Sequence, residues 1–261
     1  MHYLLSRASR AILKRLAQER TLCAFDFDGT LSPIVEHPGQ AVMGDQTRSL
    51  LVRLAALYPC IIVSGRGRAD VLGRLRGVKV ARVIGNHGAE TEATIRKPER
   101  RLERWKASLE LELGALPGVW VEDKGLSLAV HYRQSPQKTE ARRRILAAAR
   151  NLDQVRVVGG KQVVNLVVNR APDKGEALAT ERDRMRCNWV LYVGDDENDE
   201  DAFALDGNIV PVRIGRKQHS HARYYLRTQA EIDQLLELLV GARLDHPCRA
   251  VPAPSCDDVK R

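Results

Sequence analysis

The strongest indication of the fold is the segment Thr21-Leu22-Cys23-Ala24-Phe25-Asp26-Phe27-Asp28-Gly29. A short apolar run gives way at once to two aspartates and a glycine, as at the carboxyl end of a buried strand. The two carboxylates are two positions apart and so point to the same side. Because like charges repel, both stay ionised only if a cation or hydrogen-bond donors lie between them. A pair of solvated turn aspartates is the alternative, but it leaves the preceding apolar run unexplained.

Three further apolar runs have the same form. They are residues 60–63, 80–84 and 189–193, followed by Ser64-Gly65-Arg66, Gly85-Asn86-His87-Gly88 and Gly194-Asp195-Asp196. Helical patterns lie between several of them, for example at 45–57 and 68–76. Apolar strands that alternate with helices predict an α/β fold with a Rossmann-like parallel sheet covered on both faces. In such sheets ligands bind beyond the carboxyl ends of the strands, where all four polar clusters fall.

The middle of the chain has a different pattern, α-β-β-α-β-β. It comprises helices at 98–113 and 136–150, strands at 119–122 and 126–131, and a hairpin of 154–158 and 162–168 around Gly159-Gly160. The period-two alternation of 126–131 is typical of a half-exposed strand. We predict a smaller α+β cap domain at 93–172, inserted between the two parts of the core, 1–92 and 173–244. An irregular tail is expected over 245–261.

A second acidic cluster follows the strand at 189–193. It contains Asp195, Asp196 and Asp199, with Glu200 and Asp201 beyond them. Acidic residues favour the first turn of a helix, which accounts for Glu200 and Asp201 as solvated groups. For Asp195 and Asp196, at a strand end facing Asp26, a hard metal with oxygen ligands such as Mg²⁺ is the stronger explanation.

Two features indicate a phosphate site. Ser64-Gly65-Arg66 offers a hydroxyl and a flexible backbone at a strand end, although Ser-Gly is also common in turns. Asp173 and Glu176 have capping-box spacing, which places Lys174 in the first turn of a helix. A cation there opposes the helix dipole, and a bound phosphate would remove that conflict. An ordinary surface lysine is the alternative for Lys174 considered alone.

The predicted cap carries its own polar residues. They are Glu122, Lys124, His131, Arg133, Lys161 and Asn165. An exposed sheet face displays such residues in any case, so a solvated role and a ligand-binding role are both open for each. His87, after Gly85-Asn86, is open between a capping or core role and a role in the site.

The order of these motifs resembles the four-motif signature of the haloacid dehalogenase superfamily. The motifs are Asp26-Phe27-Asp28-Gly29-Thr30, then Ser64, then Lys174, then Gly194-Asp195-Asp196 with Asp199. Within that superfamily the chain is similar to the trehalose-6-phosphate phosphatase family, also through Gly85-Asn86-His87-Gly88-Ala89-Glu90, Val121-Glu122-Asp123-Lys124-Gly125 and His131-Tyr132-Arg133. The resemblance covers roughly residues 20–240.

The resemblance implies Mg²⁺-dependent hydrolysis of trehalose 6-phosphate to trehalose and phosphate. Asp26 would be the nucleophile and Asp28 the general acid and base. The metal would be held by Asp26, the backbone carbonyl of Asp28 and Asp195, with Asp196 and Asp199 in support. Ser64 and Lys174 would hold the phosphate. The residues expected to bind substrate are Gly65, Arg66, Asn86, His87, Glu122, Lys124, His131, Lys161 and Asn165.

Two positions depart from the family pattern. After Gly160-Lys161-Gln162-Val163 the family places a glutamate and then an Arg-Pro pair, where this chain has Asn165, Val167 and Val168. Asn198 stands where the family usually has threonine. A neutral amide binds a hydroxyl less strongly than a carboxylate does. The resemblance therefore leaves other glycosyl phosphates open, such as sucrose 6-phosphate or glucosyl-3-phosphoglycerate.

Composition limits the remaining classes. The chain has 261 residues, a net charge of +9, 44% hydrophobic residues and 5% aromatic residues. This composition excludes a disordered chain, and the five cysteines lack metal or redox spacing. The arginines are spread along helices and aromatics are few, so nucleic acid is not expected as a partner. Without a membrane-spanning run or signal-peptide pattern, we expect a cytoplasmic protein, monomeric, with a small sugar phosphate as its partner. A phosphosugar-binding regulator without catalysis would not need Asp28.

Overall fold

The computed structural model describes residues 1–35, 38–92 and 100–246. The predicted first residue of the cap, at position 93, lies outside the described residues, and so does the predicted tail from position 247 onward.

The larger sheet has seven strands among the described residues, and every neighbouring pair is parallel. They are β1 (His2–Tyr3), β2 (Thr21–Phe25), β3 (Cys60–Val63), β4 (Arg82–Ile84), β9 (Trp189–Gly194), β10 (Ile209–Ile214) and β11 (Tyr224–Leu226). Their order across the sheet is β1-β11-β10-β9-β2-β3-β4. Strands β2 and β9 are central neighbours, so the two acidic motifs leave the sheet side by side.

Helices cover both faces of this sheet. They are α1 (Arg10–Gln18), α2 (Asp45–Ala55), α3 (Arg68–Leu75), α6 (Lys174–Arg184), α7 (Glu200–Phe203) and α8 (Glu231–Asp245). Along β2, Cys23 and Phe25 belong to one apolar cluster and Leu22 and Ala24 to the other, and all four are fully buried. Because each face of the strand is covered, its sequence is a continuous apolar run rather than an alternating one. The predicted α/β class is confirmed.

A second, smaller sheet is antiparallel. Its elements are α4 (Arg100–Leu113), β5 (Trp120–Asp123), β6 (Ser127–His131), α5 (Lys138–Arg150), β7 (Val155–Gly160) and β8 (Val163–Val168), with strand order β5-β6-β8-β7. One face packs on the two helices around Trp105, Leu128 and Ile145. We refer to residues 100–168 as the cap module.

The turn between β7 and β8 differs from the prediction. Strand β7 continues through Gly160, and the reversal occurs at Lys161 and Gln162, where Gln162 has a φ of 62°. Gly159 and Gly160 are paired with β8 instead of forming the turn. This shift brings the backbone of Lys161 to the core.

In the core, the segment that follows β4 lies against the residue that precedes α6. Gly88 has a φ of 112°, and a Cβ there would lie 2.3 Å from the carbonyl oxygen of Asp173. Only glycine allows this close approach. Within the residues described, no helix combines the length and apolar character needed to cross a membrane.

Candidate active site

The two acidic motifs meet beyond the carboxyl ends of β2 and β9. The backbone N–H of Asp26 donates to the carbonyl of Val193 at 2.9 Å, which extends the pairing of the two strands. Gly29 has a φ of 81°, and a Cβ there would lie 2.1 Å from Oδ2 of Asp195. The glycine therefore leaves the space that the Asp195 carboxylate occupies.

Three of the predicted metal residues form one buried carboxylate cluster. One carboxylate oxygen each from Asp26, Asp195 and Asp199 lies within 4.8 Å of the other two. Oδ1 of Asp195 is buried and has no hydrogen-bond partner among the described residues. Three carboxylates that supply hard oxygen ligands, with Oδ1 of Asp195 free to coordinate, fit Mg²⁺. The carboxylates of Asp28 and Asp196 are not members of this cluster.

Lys174 lies within the same cluster. Its Nζ is 2.9 Å from Oδ1 of Asp26 and 2.7 Å from Oδ1 of Asp199, and the residue is 1% exposed. It begins α6, and Asp173 and Glu176 form the predicted capping box. The two carboxylates compensate the unfavourable interaction of the ammonium group with the helix dipole. Burial opposes the ammonium charge, but Asp199 and Asp26 outweigh it and raise the pKa of Lys174.

The cluster holds more negative charge than its lysines neutralise. Burial, followed by the repulsion from Asp199, Asp195 and Asp28, raises the pKa of Asp26 well above its ordinary value despite Lys174. Burial and Asp199 raise the pKa of Asp195 to about 6. An additional cation beside Asp26 and Asp195 would lower both pKa values. The Oδ1 atom of Asp195, which has no hydrogen-bond partner among the described residues, is available to bind such a cation.

Asp199 organises the loop after β9. Its Oδ2 accepts the backbone N–H groups of Asp195 and Asp196 at 2.8 and 2.9 Å, and its Oδ1 accepts the hydroxyl of Tyr192 at 2.7 Å. Although burial opposes its charge, Lys174 and these donors lower the pKa of Asp199. Asp199 therefore fixes both Lys174 and the peptide groups that carry the other two aspartates.

Arg213 fixes the same loop from β10. Its guanidinium donates to the carbonyls of Asp195 and Asp196, both at 2.8 Å, and to Oε1 of Glu200 at 2.9 Å. The expectation that Glu200 is solvated was wrong, because this carboxylate is the ion-pair partner of a buried arginine. The sequence could have indicated a role for Arg213, because it is a charged residue within an otherwise apolar strand.

Asp28 does not share a cation with Asp26. Arg66 forms two parallel hydrogen bonds to the Asp28 carboxylate, from Nε at 2.6 Å and from Nη2 at 2.7 Å. The remaining terminal nitrogen, Nη1, donates to Asp70 at 2.7 Å. Arg66 was predicted to contact substrate, and here it orients the Asp28 side chain at the cavity. The two aspartates therefore have separate cationic partners, Lys174 for Asp26 and Arg66 for Asp28.

The Ser64 and His87 segments pack together at the end of β3. The hydroxyl of Ser64 accepts the N–H of Arg66 at 3.2 Å. A Cβ on Gly65 would lie 2.5 Å from Cε1 of His87, so the imidazole packs directly on the glycine backbone. Burial, then Lys124 and Lys174, lower the pKa of His87 well below its usual range, so the ring is neutral. Asn86 is fully buried, where it donates to Glu90 and accepts the hydroxyl of Ser127.

Two lysines of the cap module contact the core at separate points. Lys124 Nζ donates to the carbonyl of Gly65 at 3.1 Å and to Oδ1 of Asn165 at 3.2 Å. Lys161 Nζ lies 2.5 Å from Oδ2 of Asp195, and its backbone N–H donates to Asp196 at 3.2 Å. Between these points, His131 Nε2 is 2.8 Å from Oε2 of Glu122 and lowers the pKa of that carboxyl.

A cavity of about 700 Å³ separates the acidic cluster from the polar face of the cap module. Most of the predicted site residues line it: Asp26, Asp28, Gly65, Arg66, His87, Glu122, Lys124, His131, Lys161, Asn165, Asp195 and Asp196. Ser64, Asn86, Lys174 and Asp199 lie behind its wall and contact the lining residues instead. Among the residues that were not predicted, Trp120 and Ile34 line the cavity, while Tyr192 and Arg213 hold the loop after β9.

Comparisons with known proteins find relatives of this chain in sequence and in structure. A family model described as Trehalose-phosphatase matches residues 24–228. A trehalose-phosphate phosphatase of Mycobacterium tuberculosis is 32% identical over 248 residues, covering 87% of this chain and 63% of the relative. A protein of the same name from Mycolicibacterium paratuberculosis is 37% identical over 204 residues, covering 72% of this chain and 52% of the relative. The chain thus spans less than two thirds of the length of these relatives.

The fold has a close counterpart among solved structures. The C-terminal domain of a Candida albicans trehalose-6-phosphate phosphatase superposes with a TM-score of 0.75 at 22% identity, covering 89% of this chain and 96% of that domain. A haloacid dehalogenase-like hydrolase from Bacillus subtilis gives a TM-score of 0.61 at 16% identity, covering 83% of this chain and 98% of that one. At these identities the likeness concerns the fold alone.

Proposed function

Since the chain belongs to the trehalose-phosphatase family, we propose that it hydrolyses trehalose 6-phosphate to trehalose and phosphate. One observation carries this proposal. The Asp26 carboxylate is 5% exposed yet lines the cavity, with the Lys174 ammonium fixed at one of its oxygens. A buried carboxylate with one oxygen held and the cavity before it is suited to attack on phosphorus.

In the first step of the proposed reaction, Asp26 attacks the phosphorus atom, and the bond between phosphorus and the sugar oxygen breaks. Asp28 donates a proton to the departing sugar oxygen. In the second step Asp28 takes a proton from water, whose oxygen attacks the same phosphorus atom and releases phosphate from Asp26. Arg66 holds Asp28 at the cavity through both steps. Dividing the hydrolysis in this way replaces one difficult displacement with two easier ones.

We propose Mg²⁺ as the resident metal. Asp26 and Asp195 would hold it, with Asp199 close by and the Asp28 carbonyl as the further predicted ligand. When bound, the metal would supply positive charge to the phosphoryl oxygens. Arg213 and Asp199 hold the carbonyls and N–H groups of the 195–196 loop through hydrogen bonds. Lys174 pairs with Oδ1 of Asp26 and so neutralises part of the negative charge of that carboxylate.

The cap module would bind the sugar. Glu122, His131 and Lys124 line the cavity opposite Asp26. Asn165, which replaces the family's glutamate, is 2% exposed and accepts a hydrogen bond from Lys124. We therefore assign Asn165 to holding Lys124 and leave direct sugar contacts to Glu122 and Lys124.

The decisive experiment measures phosphate release with Mg²⁺ from trehalose 6-phosphate, sucrose 6-phosphate, glucose 6-phosphate and glucosyl-3-phosphoglycerate. We expect a strong preference for trehalose 6-phosphate. A preference for another glycosyl phosphate would keep the phosphatase reaction and overturn the substrate. No release from any of the four would overturn the proposed function.

The catalytic assignment is tested with Asp26→Asn. We expect turnover to fall by at least about 10⁴-fold because the amide is not a nucleophile, with an unchanged circular dichroism spectrum. Asp201→Asn is the matched control, since it makes the same change in α7 beside the acidic motif. Excess EDTA should stop hydrolysis and added Mg²⁺ should restore it. Retained turnover in Asp26→Asn or in EDTA would contradict the nucleophile or the metal respectively.

Two further expectations belong to the proposal. We propose that the enzyme acts in the cytoplasm and as a monomer. Cell fractionation tests the location, and light scattering of the purified protein tests the oligomeric state.

A further inference from the structure

One aromatic side chain in the cavity is not used by the proposed reaction. Trp120, the first residue of β5, lines the cavity and is 45% exposed. Trp105, in contrast, is 1% exposed in the apolar core of the cap module. Leaving much of an indole uncovered forgoes the gain from burying apolar area. In a cavity lined mainly by polar residues, a half-exposed indole suits a ligand with an apolar face.

The indole is held in a fixed orientation. Trp120 pairs with His131 across β5 and β6, and the two rings stack with centroids 4.0 Å apart and planes 13° apart. His131 is fixed in turn by its 2.8 Å contact with Glu122. Because side chains alternate along a strand, Trp120 and Glu122 lie on the same face of β5. An apolar plane and a carboxylate are thus adjacent.

The register gives the distance of Trp120 from the end of the cap module that lies beside Asp196. Trp120, His131, Val163 and Gly160 form one row across the four strands of the cap module. Gly160 is at the core end, since a Cβ there would lie 3.4 Å from Oδ2 of Asp196. Three strand spacings separate the ends of the row, about 14 Å. A phosphoryl group at Asp26 and the sugar ring attached to it do not reach this far, whereas a second ring does.

We propose that Trp120 is the stacking platform for the sugar ring that does not carry the phosphate. This inference rests on the proposed function and deepens it. A pyranose ring has an apolar C–H face and a rim of hydroxyls, which match the indole plane and the adjacent Glu122. Ile34, which is 43% exposed, lines the same cavity from the core and adds apolar surface to it. Trp120 would therefore favour phosphorylated disaccharides over monosaccharide phosphates.

The kinetic test compares Trp120→Ala and Trp120→Phe with the unmodified chain, using trehalose 6-phosphate and glucose 6-phosphate. For Trp120→Ala we expect kcat/KM with trehalose 6-phosphate to fall by about tenfold, the size of one good aromatic contact, mainly through KM. Glucose 6-phosphate should be unaffected, and Trp120→Phe should keep most of the activity. An equal fall on both substrates, or no fall on trehalose 6-phosphate, would overturn the proposal.

A binding test separates this proposal from the proposed function. Trehalose is titrated while tryptophan fluorescence is followed. The fluorescence of the unmodified chain and of Trp189→Phe should change on titration. Trp189 is the first residue of β9, at the amino ends of the parallel strands, whereas the cavity lies beyond their carboxyl ends. Trp120→Phe should not respond. A response retained in Trp120→Phe, or no response in the unmodified chain, would overturn the platform. Failure to hydrolyse trehalose 6-phosphate would overturn the proposed function, while the titration still decides the role of Trp120.

Discussion

One lysine of the core, Lys174, is buried and one of the cap module, Lys124, is partly buried, and the two differ in what surrounds them. Lys174, in the core, contacts two carboxylates, and its pKa is raised. Lys124, in the cap module, contacts a backbone carbonyl and an amide oxygen. Burial lowers the pKa of Lys124, although Glu122 opposes that shift.

The difference distinguishes two uses of a positively charged side chain. Lys174 is neutralised within the fold and serves to hold Asp26 and Asp199 together. Lys124 has only neutral oxygens as hydrogen-bond partners among the described residues, so much of its charge remains to attract an anionic or hydroxyl-rich ligand. Buried ion pairs are costly to break from one side, whereas neutral contacts cost less to lose.

Lys174→Met should give the largest effect on stability. The substitution leaves Asp26 and Asp199 buried without their shared cation, and we expect the free energy of unfolding to fall by about 3–5 kcal/mol. Denaturant unfolding without divalent metal measures this. Lys217→Met, which removes an exposed partner of Glu197, is the control and should change stability by less than about 0.5 kcal/mol. Similar losses in both variants would remove the distinction between the two lysines.

Lys124→Met should instead act mainly on turnover. The variant loses two hydrogen bonds to neutral oxygens but also the cost of burying an ammonium group, so stability should change by no more than about 1 kcal/mol. We expect kcat/KM for trehalose 6-phosphate to fall by about 10- to 100-fold, the range of a lost charge-assisted contact. Kinetics and unfolding are measured on the same preparation. A large loss of stability with unchanged kinetics would make Lys124 a structural residue.

Lys161→Met tests where the two regions touch. Lys161 is half-exposed, so its ion pair with the buried Asp195 should contribute less than about 1 kcal/mol to stability. The ammonium occupies Oδ2 of Asp195, however, and its removal should tighten Mg²⁺ binding measured by calorimetry without substrate. Lys217→Met again provides the control. Unchanged or weaker Mg²⁺ binding would show that Lys161 does not compete for Asp195.

The smallest effect should be a change in pH dependence from His87. Its pKa is lowered in the folded chain, so the unfolded chain takes up a proton first as the pH falls below about 6.5. Stability is therefore present above that pH and is lost below it. His87→Asn, which tolerates the φ of 59° at this position, should lose less Tm than the unmodified chain between pH 7.5 and 5.5. Parallel Tm curves would contradict the neutral, buried imidazole.

The core could be predicted from sequence much further than the cap module. Apolar runs that end in aspartate, as at Asp26 and Asp195, indicate both a buried strand and the polar groups at its end. Lys174 was predicted from its capping box, since that motif is local in sequence. The partners of these residues were not predictable: Arg66 binds Asp28 across 38 positions, and Lys161 reaches Asp195 across 34. Such pairs depend on how the elements pack.

Trp120 shows the same limit in the cap module. In the sequence it is one apolar residue of a short strand, and its exposure follows from the register with His131 and from the cavity beyond it. The position of the turn after Gly160 likewise depended on the backbone conformation of Gln162. Periodicity identified these strands but not which of their side chains face a ligand.

The close approach of Gly88 to Asp173 has a consequence for how this fold could be modified. The segment between these two residues contains the whole cap module, and because its ends are in contact, a replacement would have only a short distance to bridge. The acidic cluster, Lys174 and Arg213 all lie on the core side of that junction. Replacing the cap module would therefore leave these core residues unchanged, and substrate preference could change through the replacement of this one module.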